Sequence, residues 1–182
     1  RTDVDADTQA EGKVGTHFDA VRRSISEAIS ESGMEKYIDI EEDPHWLSIN
    51  INSGMLFAKD SASVLAASRP VIARIAVALS NINNYIRVRG YTDNTFIPNG
   101  IFRNSWDLSA NRSVSVLEEL EKAGIEPERM AVEAFGQFSN KYSNKTAAGR
   151  ALNRKVVIAI SRYAMERKPE QEVTSMPQNN SA

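Results

Sequence analysis

Hydrophobic residues near the start of the chain recur at helical spacing. Phe18, Val21, Ile25 and Ile29 follow one another at intervals of three or four positions, which puts them on one face of a helix over residues 16–32. The apolar stripe is narrow. It could pack on the rest of the domain, pair with a second copy of the chain, or belong to a mobile connector.

Later segments alternate between apolar and polar positions, as strands do. The predicted strands are residues 37–41, 46–51, 85–90, 130–135 and 153–160. The first of them is expected to be an edge strand, because Asp43 and Pro44 break the chain directly after it. Such short strands with a polar face fit a sheet that is covered on one side.

Helical patterns separate these strands. One helix is predicted to start at Ser68, because Pro70 is tolerated only in a first turn. A second runs from about residue 106 to 123, and Thr146 caps a short third one. The predicted buried stripe of the second helix is Val114, Leu117 and Leu120.

Strands joined by helical crossovers are usually parallel. The sequence therefore predicts an α/β fold, an α+β two-layer sandwich. Its order is βαβαβαβ, with a mixed sheet, the helices on one face and an N-terminal helix in front.

Composition divides the chain into segments. Residues 1–15 are acidic, small and free of aromatic residues, which predicts a flexible lead. Residues 16–45 are interpreted as a linker helix and an edge strand, 46–162 as the folded domain, and 163–182 as a disordered polar tail. Because the chain begins with Arg1, we expect it to be a piece of a longer protein.

Charge and residue usage narrow the function. The formal net charge is −2, which does not favour nucleic-acid binding. The lack of cysteine excludes disulfides and thiolate chemistry. Two histidines far apart in the chain do not predict a metal site, and no cofactor is implied. No apolar run approaches the roughly 20 residues that span a membrane.

Residues of opposite charge lie at the ends of the inner strands. Thr92 and Asp93 follow one strand, Arg112 lies early in the next helix, and Arg154 opens the last strand. The loop over residues 91–104 is longer than most strand-to-helix connections, which is typical of functional loops. A carboxylate and a guanidinium can form a salt bridge. Alternatively, they can bind the ammonium and carboxylate poles of a zwitterion.

Three motifs in this order resemble the OmpA-like peptidoglycan-binding domain. The motifs are Gly90-Tyr91-Thr92-Asp93, Ser105-Trp106-Asp107-Leu108-Ser109-Ala110-Asn111-Arg112, and Gly149-Arg150-Ala151-Leu152-Asn153-Arg154-Lys155-Val156. The long loop after the first motif, followed by residues 106–110, is similar more narrowly to flagellar motor stator B subunits of the MotB/PomB type.

This resemblance implies a non-catalytic domain that anchors the flagellar motor stator to the cell wall. Asp93 is implied to take the ammonium of diaminopimelate in the peptidoglycan stem peptide, and Arg112 its carboxylate. Thr92, Leu108 and Arg154 are implied to line or brace the pocket. The implied location is the periplasm, as one domain of a single-pass inner-membrane protein.

The resemblance also implies partners. These are peptidoglycan, a second copy in a homodimer, the stator A subunit through a membrane helix absent from this chain, and flagellar basal-body ring proteins. Residues 16–45 lie outside the family motifs and are a candidate interaction region.

Two other functions remain open at this point. The chain could anchor an outer-membrane porin or a lipoprotein to the wall by the same chemistry. A wall hydrolase would need an activated nucleophile, a metal-bound water or an acid/base pair, and only Asp93 and Asp107 could be nominated for it.

The chain departs from the family pattern at three positions. Tyr91 replaces a histidine, Ser105 replaces an asparagine that is found one place earlier as Asn104, and Lys155 replaces an arginine. Their effect on binding depends on where the fold directs these side chains.

Overall fold

The computed structural model describes residues 4–165, with side chains from Phe18 onward. The elements are α1 Val4–Ser32, β1 Ile38–Glu42, β2 Trp46–Asn52, α2 Ser53–Leu56, α3 Arg69–Ser80, β3 Asn84–Tyr91, α4 Ser105–Lys122, β4 Met130–Gly136, α5 Ala147–Asn153 and β5 Lys155–Ala164. None of the helices in this part of the chain is both long and apolar enough to cross a membrane. Most of the predicted tail, from residue 166, lies outside the described residues.

The strands form one mixed sheet in the order β1-β2-β5-β3-β4. The predicted α/β fold with a mixed sheet and an N-terminal helix is confirmed. The helical crossovers do give β2, β3 and β4 a common direction. Strand β5 is inserted between β2 and β3 and runs antiparallel to both, which makes the sheet mixed.

Alternate strand residues and the helices share one hydrophobic core. In β2 and β5 the fully buried residues of this core are Leu47, Ile49, Ile51, Ile158 and Ile160. Their neighbours at odd positions in β5 and even positions in β2 point to the opposite face of the sheet. The strands therefore bury one face under the helices, and the other face carries mainly polar and aromatic side chains.

Helix α1 is longer than predicted. It begins at Val4 and not at Thr16, so residues 4–15 are helical where a flexible lead was predicted. This part of the sequence contains good helix formers, namely Ala6, Gln9, Ala10, Glu11 and Lys13. From Phe18 onward the predicted stripe is buried, and it packs against α3 within the same domain.

The predicted buried stripe of α4 is confirmed for Leu117 and Leu120 but not for Val114. Val114 is 39% exposed, so its assignment to the buried stripe is wrong, whereas Val116 and Leu120 are fully buried. Two small residues of α4, Ser109 and Ser113, lie against Gly90 of β3. A Cβ at Gly90 would collide with the main-chain oxygen of Ser109, so α4 touches the strand directly.

Candidate functional site

A cavity of about 430 Å³ lies where β3 ends, α4 begins and β5 starts. All five residues singled out by the sequence motifs line this cavity, which is also lined by the segment from α2 to Asp60. The five are Thr92, Asp93, Leu108, Arg112 and Arg154. Residues far apart in the chain are thus brought into one pocket, as the order of the motifs predicts.

Asp93 is a buried carboxylate with defined partners. Its Oδ1 accepts hydrogen bonds from the Thr95 amide at 2.8 Å and the Thr95 hydroxyl at 2.6 Å. Its Oδ2 is paired with Nη1 of Arg154. Burial acts to raise the pKa of Asp93, but the Thr95 hydrogen bonds and the Arg154 ion pair hold that pKa below its ordinary value. Asp93 is therefore ionised at neutral pH.

Arg112 is held by main-chain oxygens. Its Nε donates to the carbonyl of Ser61 at 2.8 Å and its Nη2 to that of Ala58 at 3.5 Å. The guanidinium carbon lies 5.0 Å from the centre of the Phe57 ring. Burial lowers the pKa of Arg112, although a guanidinium stays charged in proteins. Among the described residues no carboxylate lies within ion-pair distance of Arg112.

Thr92 and Leu108 complete the inner wall, and Arg154 lies at the rim. Thr92 is buried, and its hydroxyl donates to the carbonyl of Asp93 at 2.9 Å, which fixes the turn after β3. Leu108 is buried and supplies apolar surface. The side chain of Arg154 is 44% exposed, against 4% for that of Asp93. The ion pair therefore joins a buried carboxylate to a cation that solvent reaches.

Tyr91 does not line the cavity. Its ring stacks on Phe135 with centroids 4.9 Å apart, and Nζ of Lys155 lies 4.9 Å from the centre of the Tyr91 ring. Tyr91 and Lys155 are cross-strand partners, and both point away from the helices. Burial raises the pKa of Tyr91. The replacement of the family histidine therefore changes contacts on the other face of the sheet.

Asn104 has a structural role in this chain. It is the N-cap of α4, and its side chain accepts a hydrogen bond from the amide of Asp107 at 2.8 Å. The adjacent Ser105 is buried beside Gly136. The shift of asparagine by one place thus leaves a capped helix that delivers Leu108 and Arg112 to the cavity.

The segment over residues 53–61 contributes functional groups that the sequence did not single out. It supplies the two carbonyls that hold Arg112 and the ring of Phe57 beneath the guanidinium. Ser53 is 2% exposed and lines the cavity, and its Oγ has no hydrogen-bond partner among the described residues. Asp60 has a φ of 56°, a left-handed conformation that aspartate tolerates. The glycine-marked loop with buried Leu56 and Phe57 was the only sequence signal for this wall.

The charges of the cavity are mixed and partly separated. Lys59, Arg112 and Arg154 are cationic, and Asp60 and Asp93 are anionic. A direct salt bridge between Asp93 and Arg112, one of the two readings of the sequence, is not formed. The cavity thus holds a carboxylate and a guanidinium that can each face a different pole of a zwitterionic ligand.

A model of the OmpA family matches residues 56–154, more than half of this chain. The chain belongs to the OmpA family. The match begins within the wall that holds Arg112 and ends at Arg154, so it covers all the residues that line the cavity except Ser53 and Gly54. As a member of this family the domain is non-catalytic, as the sequence predicts.

Proteins with similar sequences indicate which members of the OmpA family this chain resembles. The chain is 27% identical to Motility protein B of Bacillus subtilis over 142 residues, covering 77% of this chain and 54% of that protein. It spans about half the length of that relative. Over 117 residues it is 32% identical to Peptidoglycan-binding protein ArfA of Mycobacterium bovis, covering 63% of this chain and 35% of ArfA.

Solved structures share the fold. The cell wall anchor of the T6SS from Pseudomonas aeruginosa is 27% identical with a TM-score of 0.70, and the match covers 78% of this chain and 97% of that one. The predicted resemblance to OmpA-like domains of the motility protein B type is confirmed.

Proposed function

We propose that this domain binds diaminopimelate-containing peptidoglycan without cleaving it and thereby anchors a flagellar motor stator to the cell wall. The observation that carries this proposal is the separation of Asp93 and Arg112 within one cavity. Arg112 is buried and charged, yet its described partners are main-chain oxygens and not a carboxylate. A buried cation of this kind is ready for an anionic ligand group.

The ligand's ammonium is taken by Asp93. Thr95 and Arg154 keep this carboxylate ionised. Because Arg154 is exposed at the rim, its side chain can turn into solvent when the ligand's ammonium takes its place at Asp93. The ligand's carboxylate is taken by Arg112. Two of the roughly five guanidinium N–H groups donate to Ser61 and Ala58, so the outer edge is left for two parallel hydrogen bonds.

The remaining wall selects for shape. Leu108 packs against the methylene chain that joins the free ammonium and carboxylate of diaminopimelate to the peptide, and Thr92 holds the turn that carries Asp93. The unpartnered Oγ of Ser53 is a further donor or acceptor for the ligand. The names of Motility protein B and Peptidoglycan-binding protein ArfA among the relatives support both parts of the proposal.

In this role the domain lies in the periplasm, as part of a single-pass inner-membrane protein. Its partners are peptidoglycan, a second copy in a symmetric dimer, and the stator A subunit in the membrane. Basal-body ring proteins are further partners of the motor, for which residues 16–45 are the candidate surface.

The binding step is tested by sedimentation with purified peptidoglycan. The native domain should co-sediment with diaminopimelate-type peptidoglycan and much less with a lysine-type wall, which lacks the second carboxylate. Asp93→Asn and Arg112→Ala should each abolish sedimentation while the circular dichroism spectrum stays native. Retention of binding by both folded variants overturns the assignment of the site.

A second candidate function is wall anchoring for a different envelope assembly, such as a secretion system, a porin or a lipoprotein. It is favoured by the similarity to the T6SS cell wall anchor, which extends over 97% of that chain. Both candidates use the same cavity. Deleting the gene separates them: loss of swimming with intact secretion supports the stator, and the reverse outcome supports the secretion anchor.

A further inference from the structure

A second cavity, of about 120 Å³, lies beside the first one. It is lined by the turn between α1 and β1, by β2 and by the start of β5, with Tyr142 and Leu152 at its outer side. Arg154 lines both cavities, so the second cavity begins where the first one ends.

Both cavities lie at the same end of the strands, where β2 ends and β5 begins. Asn52 at the end of β2 is the register partner of Lys155, and the next amide, that of Ser53, donates to the carbonyl of Arg154 at 2.9 Å. Asn52 and Lys155 line the second cavity, whereas Ser53 lines the first. One pair of backbone segments thus separates the two cavities, and Arg154 is shared by both.

Lys155 is a cation in the wall of the second cavity. The side chain is half-buried, with its Nζ over the Tyr91 ring, and among the described residues no carboxylate lies within ion-pair distance of it. Three acids also line this cavity, balanced by Lys36, Arg154 and Lys155. Asp39 accepts from Asn50 at 3.1 Å, Glu41 pairs with Lys141 at 3.4 Å, and Glu35 is exposed. Burial lowers the pKa of Lys155, which an anionic partner would reverse.

We infer that the second cavity is a subsite for a carboxylate on a residue next to diaminopimelate in the stem peptide, with Lys155 as its counter-ion. The subsite rests on the proposed function of the first cavity. The volume of about 120 Å³ leaves room for a carboxylate with a small side chain.

Affinities for two soluble ligands test this subsite. Free meso-diaminopimelate fills only the first cavity, whereas the tetrapeptide stem carries one carboxylate on each neighbour of diaminopimelate. Lys155→Met keeps the aliphatic chain over Tyr91 and removes the charge. It should weaken tetrapeptide binding about fivefold and leave diaminopimelate affinity unchanged, because a partly exposed ion pair contributes modestly. The exposed Lys145, outside both cavities, provides the control Lys145→Met, which should change neither affinity.

Amidating the carboxylates of the two neighbours of diaminopimelate, one at a time, identifies which of them is bound. The amide that weakens binding to the native protein should have no further effect on Lys155→Met, as in a double-mutant cycle. The inference is overturned if Lys155→Met binds the tetrapeptide as tightly as the native protein, or if both amides weaken the two proteins equally. It is also overturned if Lys155→Met loses affinity for free diaminopimelate.

The proposed function can fail separately from this subsite. If the native protein binds neither ligand, the first cavity does not bind diaminopimelate and both claims fall. If it binds diaminopimelate through Asp93 and Arg112 and Lys155→Met has no selective effect, only the subsite is wrong. Thermal unfolding of Lys155→Met, and of a second variant Lys155→Gln, confirms that the altered proteins are folded.

Discussion

The carboxylate of Asp93 is paired with the guanidinium of Arg154 and not with that of Arg112. This pairing assigns different tasks to two arginines of one cavity. Arg154, at the rim, keeps Asp93 ionised, while Arg112, deeper in the wall, is held by the carbonyls of Ser61 and Ala58. Removing either arginine should therefore have a distinct effect.

Replacing Asp93 by asparagine should remove the ammonium site. Truncating one partner of a buried charge pair costs about 2–5 kcal/mol, so diaminopimelate affinity should fall by a corresponding amount in isothermal titration calorimetry. Asp60→Asn is the matched variant, because it removes the other carboxylate of the cavity, which is exposed. Its cost should stay below about 1 kcal/mol. Equal losses of affinity in the two variants would show that Asp93 is not the specific site for the ammonium.

Replacing Arg112 by lysine should weaken binding strongly although the charge is kept. A lysine ammonium cannot donate to the Ser61 carbonyl and also present a planar pair of donors to a carboxylate. We expect at least a tenfold loss of affinity, about 1.4 kcal/mol, measured by the same titration. Arg103→Lys is the control, since the Arg103 side chain is 86% exposed. Native affinity in Arg112→Lys would show that the two-donor geometry is unnecessary.

Replacing Arg154 by methionine should change the pH dependence of binding. Asp93 binds a cation only when it is ionised, so binding is present above the pKa of Asp93 and is lost as the pH falls through that pKa. The pKa is now held below its ordinary value, and Arg154 is one of the causes. Without Arg154 the pKa rises, and acid should abolish binding at a higher pH than in the native protein.

This shift is measured by titrating diaminopimelate between about pH 3 and pH 6, around the ordinary aspartate pKa of about 3.9. The same sign applies to stability: the contribution of Asp93 is present above its unfolded pKa and is lost as the pH falls through its lower folded pKa. Identical pH profiles for Arg154→Met and the native protein would mean that Arg154 does not control Asp93.

Replacing Gly90 by alanine should destabilise the fold. The added Cβ would overlap the main-chain oxygen of Ser109, and the backbone of a helix cannot easily shift to make room for it. We expect a loss of about 1–3 kcal/mol in the free energy of unfolding by urea. Gly100→Ala is the matched control, because nothing lies within 4 Å of a Cβ there. Equal stability of the two variants would refute direct contact between α4 and β3.

Replacing Ile25 by alanine should show that α1 belongs to the cooperative fold. Ile25 is fully buried between α1 and the core, so its truncation should cost about 2–5 kcal/mol of unfolding free energy. Glu27→Ala, on the exposed side of the same helix, should change stability by less than about 0.5 kcal/mol. A negligible effect of Ile25→Ala would indicate that α1 detaches easily from α3.

Residues recognised by side-chain type were predictable from the sequence. The motifs identified Asp93, Arg112 and Arg154 because charged groups at the ends of apolar segments stand out in a local pattern. The α1 stripe and the Thr146 cap were predictable for the same reason, since helix faces and N-caps depend on neighbouring positions.

Other features depend on main-chain atoms or on distant contacts. Arg112 is held by carbonyl oxygens of Ala58 and Ser61, which any residue type provides. The buried side of α4 contains Ser109 and Ser113, whose small size matters only because Gly90 lies opposite. The insertion of β5 between β2 and β3 likewise has no local signature, because it is decided by pairing across the whole sheet.

The turn over residues 35–37, which joins α1 to β1, forms part of the wall of the second cavity. Ligand occupancy there and the position of the turn are therefore thermodynamically linked. A pull on α1 that displaces the turn lowers the affinity of the cavity. By reciprocity, a peptide that fills the cavity resists that displacement with the same free energy. In the proposed subsite, the affinity for the peptide and the force along α1 therefore depend on the same equilibrium.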